Sequence, residues 1–127
     1  MNYYDEIYSK VKDYSKERHR VITYFEIGKL LNEAGKHYGE NIIKEYSKKL
    51  IIEVGKKYSD RTLRRMRQLC QIFNNEKWSP LVTKLTWSHY IILMSIEDLN
   101  KIEYYLNLTI SLSLSKRQLE LKIKSKE

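Results

Sequence analysis

The sequence predicts an all-α fold, and three observations carry that prediction. Apolar residues recur at helical spacing along nearly the whole chain. Only four glycines and one proline interrupt 127 residues. Short polar residues stand where helix N-caps are needed, at Ser59, Thr86 and Ser115. One compact helical domain over residues 1–127 is the expectation from length.

In chain order, Ile7, Val11 and Tyr14 mark a helix over 3–16. Val21, Tyr24, Phe25, Gly28 and Leu31 mark another over 17–34, separate from the first or continuous with it. Gly35 and Gly39 bracket a loop. Ile43, Tyr46, Leu50 and Val54 place a helix over 40–54, with Gly55 as its stop. Ser59 then caps a helix from Asp60 to about Phe73, with Asp60 favourably placed at the positive end of the helix dipole. Pro80 opens a short helical turn. Thr86 caps a helix beginning at Trp87. Ser95 to Asp98 and Ser115 to Gln118 resemble capping boxes that start helices near 96–110 and 116–126. The alternating run Leu108 to Leu114 reads as one short strand near 108–114.

The formal net charge is +8. Such an excess points to a polyanionic partner, with nucleic acid first, then an acidic protein, then an anionic membrane. No apolar run approaches a membrane span, so no membrane role is expected. The single cysteine, Cys70, excludes an internal disulfide and lies on an apolar helix face, as a small core residue would. Lacking a basic-then-apolar leader, the chain is expected in the cytoplasm.

The charge concentrates between Lys56 and Arg67, with six basic residues against one acidic, Asp60. On a helix of about 100° per residue, Leu63, Met66, Leu69, Cys70 and Phe73 share one face. Arg61, Arg64, Arg65 and Gln68 fall on the opposite one, and Arg67 flanks the core edge; all five are candidate nucleic-acid-binding residues. Helix, short turn and basic helix is the layout of a helix-turn-helix. Arg clamps phosphate oxygens or the guanine edge, and Gln pairs with adenine. Lys56 and Lys57 in the turn, with Lys44, Lys48 and Lys49 before it, are placed as phosphate neighbours. The expected ligand is DNA, with RNA as the alternative.

Trp87 and Tyr90 suit base stacking or, more readily, core packing. His89 lacks a second ligand at metal spacing and reads as a structural or interface histidine. Trp87, His89 and Tyr90 together are the candidate contact surface for a homodimer. No phosphate-cradling glycine loop, zinc spacing or nucleophile elbow is present, so neither catalysis nor a cofactor nor a metal is expected.

Four motifs in order carry a family resemblance: Tyr24 to Leu30, Tyr38-Gly39, Tyr58 to Gln68, and Leu85 to Tyr90. The ending Leu114 to Glu120 fits the close of the same domain. The chain resembles the N-terminal domain of the YhcG-like PDDEXK nuclease family, with Phe25 where that family usually has Trp. The resemblance implies a winged-helix-like DNA-binding module that precedes a metal-dependent nuclease domain, here without that domain. It also implies an association with mobile elements and defence. The competing expectation is a phage- or mobile-element-encoded inhibitor, anti-CRISPR-like, that docks on a protein of a defence or nuclease complex through the same basic face.

Overall fold

The computed structural model describes residues 2–12 and 20–126. Among them are seven α-helices and no β-strand: α1 Tyr3–Lys12, α2 Arg20–Tyr38, α3 Asn41–Glu53, α4 Asp60–Phe73, α5 Trp87–Met94, α6 Leu99–Leu112 and α7 Lys116–Ser125. The all-α class is therefore observed. Tyr14, and whether α1 continues into α2, lie outside the described residues. The chain divides into two compact units, Met1–Pro80 and Leu81–Glu127. No helix among the described residues is long and apolar enough to cross a membrane.

In the first unit, α4 packs chiefly against α2. Their closest approach is at Gly28, where an added Cβ would stand 2.1 Å from the Met66 carbonyl oxygen. Only a residue without a side chain admits α4 that near. Leu63, Met66, Leu69, Cys70 and Phe73 are all buried, as helical phase requires. Burial pushes the Cys70 thiol up, which keeps it an inert core group.

Helix α2 runs four residues beyond its expected end. Buried Leu31 and Ala34 fall within the expected span, and the added turn is half-buried to exposed. Its His37 and Tyr38 rings lie 5.8 and 6.4 Å from the Tyr3 ring of α1. These ring contacts, with continued helical hydrogen bonding, offset the roughly 1 kcal/mol helix penalty of one glycine. The reversal falls instead at Gly39, whose φ of 88° is in the left-handed region. Helix α3 ends before Gly55, which adopts extended backbone while its N–H bonds the Leu50 carbonyl at 3.1 Å.

In the second unit, Thr86 and Ser115 cap α5 and α7 as read from sequence. Ser95 does not cap α6. Its hydroxyl donates back to the Ile92 carbonyl at 2.6 Å, closing α5. Asp98 is the cap, accepting from the Asn100 N–H at 2.8 Å. The expected strand at 108–114 is also overturned, because α6 runs through Leu112. Ile102, Tyr105, Leu106 and Thr109 form one buried stripe at helical spacing. The Thr109 hydroxyl satisfies itself on the Tyr105 carbonyl at 2.6 Å. Long-range burial at 3.6-residue spacing prevails over a local two-residue alternation.

Candidate nucleic-acid interface

Helix α4 begins as its sequence dictates. Ser59 has extended backbone and its hydroxyl oxygen accepts the Thr62 N–H at 3.2 Å. This satisfies one of the N–H groups that a helix start leaves without partners. The turn before it is a single 3-10 turn, Lys56–Tyr58. It is pinned to α3 by buried Ser47, whose hydroxyl donates to the Tyr58 carbonyl at 2.9 Å. A helix, a tight anchored turn and a basic helix are therefore present in the first unit.

Burial of the apolar face leaves the arginines on the other side. Arg61 is exposed and Arg65 half-buried, and no carboxylate among the described residues is ion-paired with either. Gln68 is half-buried on the same face. Lys56 and Lys57 are exposed in the turn. The Lys57 ammonium lies over the Tyr24 ring at 5.3 Å and the Tyr58 ring at 5.8 Å, which orders it beside the helix start.

Arg64 and Arg67 are engaged differently. The Arg64 Nε–H donates to Asp60 Oδ1 at 3.0 Å, one helical turn back. Its Nη1 lies 3.7 Å from Glu40 Oε2. Arg67, whose side chain is only 15% exposed, donates from Nη1 to the same Glu40 oxygen. The Arg67 Nε is buried with no hydrogen-bond partner among the described residues.

Glu40 was not legible as part of this surface. It lies 27 residues before Arg67, and no local spacing joins them. The turn at Gly39 brings it there. The α3 lysines also separate. Lys49 stacks over Tyr4 at 5.1 Å, toward α1, while Lys44 and Lys48 are exposed and form no ion pair among the described residues.

The second candidate surface turns largely inward. Tyr90 is 1% exposed, and burial pushes its phenol well above the ordinary range. His89 is buried and acts as a clamp. Its Nδ1 accepts the Thr86 N–H at 3.2 Å, and its Nε2 lies 2.8 Å from the Leu114 carbonyl. Nδ1 is therefore the acceptor and Nε2–H the donor, which fixes the tautomer. The histidine occupies the capping-box position usually held by Glu or Gln and also ties α5 to the α6–α7 link. A polar ring three residues after a Thr cap was a readable sign of this role. Trp87 alone of the three remains partly exposed. No group of three or more His, Cys, Asp or Glu among the described residues is placed to hold a metal ion.

Residues 7–127 match the family model of the DUF1016 N-terminal domain, which is nearly the whole chain. The match agrees with the family resemblance carried by the sequence motifs. No curated protein and no solved structure matches the chain.

Proposed function

The chain belongs to the DUF1016 N-terminal domain family, and on that premise we propose that it is a non-catalytic nucleic-acid-binding module with duplex DNA as its preferred ligand. One observation carries the reading. Helix α4 buries its entire apolar stripe and leaves Arg61 and Arg65 on the other side with no carboxylate paired to them among the described residues. Two guanidinium groups beside the ordered Lys57 and the exposed Lys56 form an electrostatic footprint for a phosphate backbone. In this reading α4 lies in or against a groove. Lys56 and Lys57 meet the backbone, while Gln68, a turn further along, faces base edges. The winged-helix-like DNA-binding role implied by the motif resemblance supports the same assignment.

The test is fluorescence anisotropy with a short labelled duplex at several salt concentrations, with single-stranded RNA as competitor. Affinity is expected to fall steeply with salt, with a log–log slope of about −0.9 per phosphate contact. The double variant Arg61→Ala/Arg65→Ala flattens that slope by about two contacts. Salt-insensitive binding, or an unchanged double variant, overturns the reading. Recovery of a stoichiometric protein partner free of nucleic acid favours the inhibitor alternative instead.

A further inference from the structure

We infer that Glu40 is an intramolecular stand-in for phosphate, and that Arg64 and Arg67 form a phosphate site which nucleic acid enters by displacing it. The inference rests on the nucleic-acid reading above and deepens it, because it joins Arg64 and Arg67 in one phosphate site and makes the contact surface self-restrained.

The geometry of Glu40 is not that of a helix cap. It occupies the N-cap position of α3 but has helical backbone, and its side chain makes no cap hydrogen bond. Its carboxylate goes to α4. There a single oxygen, Oε2, serves both guanidinium groups. The Arg67 contact is a hydrogen bond, whereas the 3.7 Å separation to Arg64 Nη1 is beyond hydrogen-bond reach. One carboxylate oxygen thus fills a site that two planar forks line. The Arg67 Nε–H is left without a partner among the described residues. A tetrahedral anion presents several oxygens and bridges two guanidinium groups more completely than a carboxylate can.

Burial is unequal in the direction displacement requires. The Arg67 side chain is 15% exposed and held by the fold, while that of Glu40 is 66% exposed. The acid can swing into water, and the incoming phosphate takes over compensation of the largely buried Arg67 charge. The arginine stays in place. Asp60 keeps its own bond to Arg64 Nε throughout, so Arg64 remains oriented with Nη1 directed to the shared site.

Anisotropy titration of a short labelled duplex into the full chain tests this with Glu40→Gln and with Glu45→Gln. Glu45 is exposed on α3 with no ion pair among the described residues, so its variant reports the net-charge change alone. Glu40→Gln is expected to bind about fivefold tighter than the parent, the scale of one competing ion pair. Its salt dependence steepens by about one phosphate contact. In the Glu40→Gln/Arg67→Lys background the gain disappears, with thermal melting reporting that the variant is folded. If Glu40→Gln and Glu45→Gln shift affinity equally, or if Arg67→Lys leaves the gain intact, the inference is overturned while the binding reading stands. If neither the parent nor Glu40→Gln binds DNA, both fall. If the parent fails to bind and Glu40→Gln binds, displacement is supported directly.

Discussion

The two units are built from the same kind of helix but held by different means. In the first, α2 and α4 approach through a missing side chain, with Gly28 against the Met66 carbonyl. Its surface chemistry is ionic, with arginines, lysines and Glu40 around α4. In the second, shorter helices are held by caps at Thr86, Asp98 and Ser115 and by the two-ended His89 clamp. Its exposed large apolar side chains include Leu99, Tyr104, Leu112 and Leu121, as those of the first include Tyr38, Ile51 and Ile52. Close backbone packing in the first unit holds a charged helix rigid without consuming its outward face. In the second, the caps Thr86, Asp98 and Ser115 are exposed but engaged with backbone N–H groups, and only His89 among these polar groups is buried.

Four substitutions sharpen or break this contrast. The largest effect is expected for Gly28→Ala. Its Cβ meets backbone that cannot give way cheaply, and stability falls by about 3 kcal/mol. Calorimetry measures the loss, and hydrogen exchange should show protection lost first in α2 and α4. A variant with the parent's melting temperature would mean that the helices separate without penalty. Next is His89→Ala, which removes the acceptor of the Thr86 N–H and strands the Leu114 carbonyl, at about 2 kcal/mol. His89→Gln recovers about half, because Gln at that position restores the capping box but does not reach Leu114. Equal losses for the two in denaturant titrations would break the two-ended assignment.

Third is Arg61→Ala/Arg65→Ala, which tests whether the charged face is separable from the fold. Its unfolding free energy should stay within about 0.5 kcal/mol of the parent's. Its affinity for duplex DNA should drop at least about tenfold, since phosphate contacts supply most of such affinity. The smallest effect is expected for Ser59→Ala, about 1 kcal/mol from the lost cap of α4. Urea unfolding measures it, and Ser59→Asp should restore the cap.

Most of the fold was legible from sequence where the deciding forces are local. Ser59, Thr86 and Ser115 cap the helices that follow them, and Leu63 to Phe73 show a stripe that only one helical phase can bury. The misread places are those where a residue has two local uses. Ser95 can cap forward or close backward, and it closes backward because Asp98 sits nearer the start of the α6 stripe. Gly35 can break a helix or ride inside one, and it rides inside one whose last turn sets His37 and Tyr38 against the Tyr3 ring. The 108–112 segment alternates in sequence, but Thr109 and Tyr105 share a buried face only as a helix.

The candidate site divides the same way. Which side of α4 carries Arg61, Arg65 and Gln68 follows from spacing alone, because helix geometry is periodic and the apolar face must leave water. The all-α class and the basic face were thus determined by the sequence itself. The tertiary structure decided the rest: that Gly28 receives the Met66 backbone, that His89 spans from Thr86 to Leu114, and that Glu40 lies on Arg64 and Arg67. These pairs are far apart along the chain. Their meeting depends on where turns such as Gly39 send the next helix, and no local pattern encodes that direction.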